Sequence, residues 1–231
     1  MPGPLRRVTG SRSDETVTFG DLSRGAYCPR QLYHARKEDD REPPPDATDR
    51  IELAFRYPSL LDASDRELRE APIDVEPDAF RRNLARLRTR DDWDELASPS
   101  RTRVLLSGKD CRGIAHKIVG DPGVPTIVSP GTPPDQGTWN HHRVRAVAAA
   151  KALSWEQTRQ VSTSFVEYPA HGVVRTVELT TRAKAAYRSA LRAVRAIDGP
   201  PPRANDARCE GCEYSQACGT RTRSLRSLLG I

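Results

Sequence analysis

The sequence predicts an α/β fold: a mixed central sheet flanked by helices, with a helical N-terminal lobe. Three observations carry this. Segments rich in Val, Ile and Leu cluster in 103–107, 111–119 and 125–129, each bounded by Gly, Pro or Asp. A long helical period follows at 139–155, then an alternating pair of segments and one more helix. A strongly charged, helix-rich stretch precedes them all. The middle of the chain therefore reads strand, strand, strand, helix, strand, with a helix before it.

The elements follow in order. Residues 1–15 carry Arg6, Arg7 and Arg12 with no apolar run, which predicts a polar tail and no signal peptide. Residues 16–100 form the helical lobe. In it, 19–37 reads as a helix, with Asp21 or Ser23 as cap and Leu22, Ala26, Arg30 and Tyr33 at helical spacing. Pro29 inside that run predicts a break or kink beside Cys28. Pro43, Pro44 and Pro45 make 41–46 a stiff linker. Shorter helices are expected at 51–61 and 78–96. Residues 101–199 form the α/β core. Its first three strands end at Pro130-Gly131, and a Pro- and Gly-dense loop runs to Gly137. The helix at 139–155 has Val144, Val147, Ala148 and Leu153 as its apolar stripe. Segments 161–168 and 173–179 alternate as a hairpin around Ala170-His171-Gly172. A last helix spans 180–197, and Pro200-Pro201-Pro202 leads into a cysteine module at 200–231.

A length of 231 residues suits one domain with a lobe and can bury a sizeable core. No run of 18 apolar residues exists, so no membrane span is expected, and a cytoplasmic location follows. The net charge is +6 and its basic residues are nearly all arginine, with lysine only at Lys37, Lys109, Lys117, Lys151 and Lys184. Arginine forks suit phosphate better than lysine point charges. Base-composition bias in the coding DNA explains the same preference equally well. Arg81, Arg82, Arg86, Arg88 and Arg90 sit at helical spacings, as do Arg188, Arg192 and Arg195. Arg221, Arg223 and Arg226 follow the last cysteine. Such clusters read as nucleic-acid contacts or as a solvated basic face.

The cysteines are more specific. Cys209, Cys212 and Cys218 read C-x2-C-x5-C, and Cys28 lies in Tyr27-Cys28-Pro29-Arg30. Cluster iron binds thiolate, and a cubane needs four such ligands. Zinc also takes four cysteines, though its sites usually pair two local knuckles. Unligated or disulfide-bonded cysteines are the remaining reading. A bond between Cys28 and the C-terminal set closes a loop of about 180 residues, worth roughly 5 kcal/mol by analogy with a disulfide. Cys111 lies in a predicted strand and reads as a small buried residue.

The run Tyr27-Cys28-Pro29-Arg30-Gln31-Leu32-Tyr33, followed by the C-terminal C-x2-C-x5-C, resembles the Fe–S exonucleases of CRISPR adaptation. The same iron-staple nuclease domain occurs in helicase–nucleases of DNA repair. The resemblance covers about 19–218. It implies a PD-(D/E)XK nuclease core and a [4Fe–4S] cluster on Cys28, Cys209, Cys212 and Cys218. It also implies two acids holding Mg²⁺ or Mn²⁺, with a lysine two residues after the second. Here the family's first acid falls on His116, in Gly113-Ile114-Ala115-His116. Its E-x-K falls on Ile127-Val128-Ser129, and the glutamine of the next helix on Arg145. The family's tyrosine falls on Ala149, and its N-terminal histidine has no counterpart in 46–61. Isoleucine cannot bind Mg²⁺, which demands oxygen ligands.

The cluster module therefore reads as intact and the chemistry as erased. The leading expectation is an Fe–S, DNA-associated pseudonuclease, with Arg30, Arg145, Arg188 and Arg192 as phosphate contacts. An active, Mg²⁺- or Mn²⁺-dependent single-strand DNA exonuclease using displaced Asp110, Asp121 or Asp135 is the second. A structural subunit that binds a protein partner and no DNA is the third. His116 with His141 or His142 is a candidate transition-metal pair, weighed against a plain structural role.

Overall fold

The computed structural model describes residues 16–38, 46–204 and 206–219. The expected polar tail, most of the proline linker, and Arg221, Arg223 and Arg226 lie outside these residues. The protein is an α/β structure with a six-stranded mixed sheet flanked by helices and a helical N-terminal region.

The chain enters through a two-residue strand, β1 (Val17–Thr18), which the sequence reading missed. It pairs in parallel with the start of β3 (Cys111–Val119), through Val17↔Cys111. The Thr18 side chain caps α1 (Phe19–Tyr27) by accepting from the Asp21 amide at 3.0 Å. The single helix expected at 19–37 is two helices. Cys28 is extended, at φ −156°, and Pro29 opens α2 (Pro29–Glu38), where a missing N–H costs nothing.

The expected 51–61 helix is α3 (Ala47–Glu52), a 3-10 turn (Leu53–Phe55) and α4 (Tyr57–Leu61). A further helix, α5 (Asp65–Glu70), starts at a Ser64/Glu67 capping box. The expected 78–96 helix divides into α6 (Pro77–Arg88) and α7 (Trp93–Ala97), with Arg90 clamping Asp92 in the turn between them.

Strands β2 (Arg101–Ser107), β3 and β4 (Val124–Val128) form an antiparallel meander. Helix α8 (Asn140–Glu156) crosses over to β5 (Thr163–Tyr168), which pairs in parallel with β4. A 3-10 turn (Pro169–His171) and Gly172, at φ +62°, return the chain into antiparallel β6 (Val173–Glu178). Left-handed backbone there suits glycine. Helix α9 (Thr181–Arg195) follows, and a short α10 (Ser215–Cys218) ends the described chain. The strand–strand–strand–helix–strand order read from periodicity is the observed one.

Two cores sandwich the sheet. On one face, α3–α7 pack Leu53, Tyr57, Leu68, Phe80, Leu84 and Leu96 against Val119, Val128 and Phe165. On the other, α1, α8 and α9 pack Phe19, Leu22, Val147, Leu153, Tyr187 and Val194 against Ile118, Ile127 and Val166. The sequence suggested one apolar stripe on α8. In fact Val144, Ala146–Ala150, Ala152 and Leu153 are all buried, because sheet, α1 and α9 surround the helix. Its alanines let those neighbours approach closely.

Candidate functional site

Two constellations lie on the same side of this frame. The first is the cysteine module. Cys28 ends α1 and immediately precedes Pro29, the first residue of α2. Cys209 closes a 3-10 turn (Ala207–Cys209) capped by Asp206, and Cys212 follows one tight turn later. Cys218 ends α10.

All four thiols line one pocket, together with Tyr27, Arg30, Arg203 and Arg208. None of the four is in a disulfide. Arg208 donates to the Tyr27 carbonyl, Arg30 donates to the Pro201 carbonyl at 2.6 Å, and Gln31 donates to Glu213 at 3.4 Å. The module's own core is small: Ala35, Tyr214 and Cys218, with Cys212 against them and His34 stacked on Tyr214. Three buried residues cannot hold such a module by hydrophobic burial alone. The donor set fits a cluster: four free thiols ringed by guanidinium groups. Among the described residues, no group of three or more His, Cys, Asp or Glu side chains is arranged around a single ion. A cubane puts each thiolate on a separate iron, so it asks for a wider set. Cys111 is elsewhere, buried with its thiol facing the Ala148 carbonyl at 3.5 Å.

The second constellation is the seam between β3, β4 and the start of α8. It gathers His116, Ile127, Ser129 and Arg145, four of the five positions matched to the nuclease motif. The His116 Nδ1 accepts from the Val128 amide at 3.1 Å, in the stretch where the β3–β4 ladder has ended. The β2–β3 register also skips His116, whose neighbour Arg103 has φ +50°. Ile127 is fully buried. The Ser129 hydroxyl meets His142 Nε2 at 3.1 Å, and His142 Nδ1 meets the Tyr168 hydroxyl at 2.9 Å. The Trp139 backbone amide faces the Tyr168 oxygen. In the tautomer whose Nδ1 accepts the Tyr168 phenol proton, the ring donates Nε2–H to Ser129. The Ser129 hydroxyl proton is then left over. Sequence reasoning matched Ser129 to the lysine position but missed this chain, because no spacing signals a partner on another element.

The seam's electrostatics are those of a cation without a counter-ion. Burial pulls His116 down to about 3, with Arg145 and then Arg103 and Lys117 adding repulsion. Burial also pulls His142 to about 3, helped by His141 and Arg145, and His141 to about 4. All three rings are neutral at pH 7. Arg145 lies among them, and burial lowers it to about 10, far enough above neutrality that it keeps its charge. Its Nε is sealed from solvent without a partner.

The other singled-out residues are scattered. Asp110 and Asp121 flank the nine-residue β3 at opposite ends, roughly 30 Å apart at strand rise. Asp110 faces Arg195 at 3.7 Å, and the backbone carbonyl of Asp135 accepts from Arg175. The displaced-acid arrangement therefore has no shared site for Asp110 and Asp121. His142 spends both ring nitrogens on Ser129 and Tyr168, and His116 Nδ1 is spent on Val128. Arg30 is committed to Pro201, whereas Arg188 and Arg192 are exposed one turn apart on α9.

Beneath the opposite face lies a group that sequence reasoning did not weigh. Lys117 Nζ donates to Glu167 at 2.9 Å and to the Ala54 and Leu96 carbonyls at 2.6 and 2.9 Å, all out of solvent. Burial lowers the Lys117 pKa and raises that of Glu167, and each partner opposes the other's shift. With its ammonium saturated, this pair joins the sheet to the N-terminal helices.

No protein-family model matches the chain, and no curated protein matches it.

Proposed function

We propose that the chain is an iron–sulfur, DNA-associated protein with a PD-(D/E)XK-like core that no longer cleaves DNA. One observation carries the cluster: four free thiols from opposite ends of the chain line one arginine-rimmed pocket. Cys28, Cys209, Cys212 and Cys218 would hold a [4Fe–4S] group. When bound, it supplies a covalent tie between the α1–α2 junction and the C-terminal module, with no redox step required.

The loss of chemistry is supported at the seam. Mg²⁺ needs carboxylate oxygens, and the two positions that should provide them are His116 and Ile127. A charged guanidinium in their midst repels a divalent cation. Losing about 7 kcal/mol of transition-state stabilisation costs roughly 10⁵ in rate. The exposed Arg188 and Arg192 support a DNA-facing α9.

Anaerobically purified protein should contain iron and acid-labile sulfide, each near four per chain. Zinc without iron would overturn the cluster. In assays with Mg²⁺ and with Mn²⁺, DNA should persist at the background rate. Degradation abolished by Asp121→Ala or Asp110→Ala would restore the displaced-acid exonuclease. The reading without DNA contact is separated by a binding titration at low salt.

A further inference from the structure

Arg145 is a cation in search of a counter-ion. Among the described residues it forms no hydrogen bond or ion pair, and its Nε has no surface for water. The titratable side chains that feel its charge, His116 and His142, offer no negative charge in return. Arg145 is half-buried with its Nε enclosed and unpartnered, and a charge drawn partly out of water without a counter-ion costs stability. An arrangement that keeps such a charge makes sense where an anion completes it.

The surroundings are built for an anion. Helix α8 starts beside the seam without a side-chain cap on Trp139 and without an acid in its first turn. Its first N–H groups therefore keep their partial positive charge. His142 lies in that turn and holds Ser129, whose hydroxyl proton is free when His142 carries its own proton on Nε2. Arg145 and His142 are each half-buried and not fully enclosed by protein. Trp139, at the helix start, is 47% exposed beside it.

We infer that the β4–α8 seam is a metal-free oxyanion site that takes a phosphate group on the Arg145 guanidinium, the Ser129 hydroxyl and the start of α8. The charge of a nuclease centre is thereby inverted: the protein supplies the cation that a divalent metal would supply. The comparison with a nuclease centre rests on the proposed PD-(D/E)XK-like core, whereas the anion site itself does not. The phosphate comes either from a nucleic-acid strand or from free phosphate, and the two are separable.

The test uses the full chain. Its thermal midpoint is measured against rising inorganic phosphate and against chloride at matched ionic strength, for wild type, Arg145→Gln and Ser129→Ala. Phosphate should raise the wild-type midpoint where chloride does not. Arg145→Gln should melt at or above the wild-type temperature in chloride and lose the phosphate response. A residue of purely structural value would instead melt lower. Ser129→Ala should retain the response with affinity weakened several-fold, and this variant decides the matter should Arg145→Gln not fold. A wild-type midpoint that follows ionic strength alone, or a full phosphate response in Arg145→Gln, overturns the site.

Competition then assigns the source. Displacement of phosphate by both a 5′-phosphorylated oligodeoxynucleotide and its 5′-hydroxyl twin assigns backbone phosphate. Displacement by the first alone assigns a terminal phosphate, and displacement by neither assigns free phosphate. Phosphate held through Arg145 with no DNA binding anywhere keeps the site and overturns the DNA reading. DNA binding untouched by Arg145→Gln, with no phosphate response, does the reverse.

Discussion

His116 shows how one substitution changes a site's electrical character. An aspartate there would draw in a cation, whereas the imidazole takes a backbone hydrogen bond from Val128 and stays neutral. Its pKa near 3 lies below the ordinary histidine value of 6.5, so the unfolded chain binds the proton more readily. The sign follows: the contribution is intact above pH 6.5 and is lost as pH falls towards 3, at up to about 1.4 kcal/mol per pH unit. His116→Asn can still accept from Val128. Urea unfolding of this variant between pH 4.5 and 7 should show a pH slope shallower by about one proton. Lys117, the next residue, faces the other way and sets a larger stake. Lys117→Met leaves Glu167 buried and alone, which should cost about 3–5 kcal/mol in the same measurement. The double variant with Glu167→Leu should recover most of that loss. The adjacent residues thus divide the work between a ligand-facing seam and a sealed inter-layer pair. The strand itself was legible in the sequence as an apolar-rich run ended by Gly120. The partners were not legible, because Glu167, Ala54 and Leu96 are 50, 63 and 21 residues away.

At the level of elements, Pro29 and Cys28 act together. Proline ends the first helix and starts the next, and the extended residue between them turns its thiol towards the C-terminal turns. Cys28→Ala should lose iron and also lower the unfolding midpoint of the whole chain, because the tie it removes spans the fold. Cys111→Ala should leave iron content unchanged and cost about 1–2 kcal/mol for the small void left in the core. Equal iron loss in both variants would show that the cluster assignment is wrong. The main strands were legible as Val-, Ile- and Leu-rich or alternating runs with clear stops, and α8 and α9 as long helix-forming stretches. The divisions within 47–97 were not. They depend on where short helices meet the sheet and on local clamps such as Arg90–Asp92, which single-chain periodicity does not encode. β1 escaped for a similar reason: two residues have no period, and its pairing with Cys111 is a long-range event.

At the scale of the whole molecule, positive charge is distributed in two ways. Many arginines are spent internally: Arg36 on Asp21, Arg81 on Asp65, Arg90 on Asp92 and Arg208 on Asp206. The basic composition therefore overstates the charge free for a partner, and the sequence alone could not separate the two populations. Arg188 and Arg192 belong to the exposed group, on the solvent side of α9, whose other face packs Tyr187, Leu191 and Val194 into the core. Substituting them should leave the fold intact and act on binding alone. Contacts to phosphate carry no base information, so affinity should be alike for sequences of equal length. It should fall with salt at a log–log slope of roughly −0.7 per phosphate contacted on single strands. Arg188→Ala with Arg192→Ala should weaken every sequence equally and reduce the slope by about 1.4 if both arginines touch phosphate. An unchanged slope with unchanged affinity would move the DNA path off α9. Failure of the wild type to bind at low salt would favour a protein partner for this arginine face.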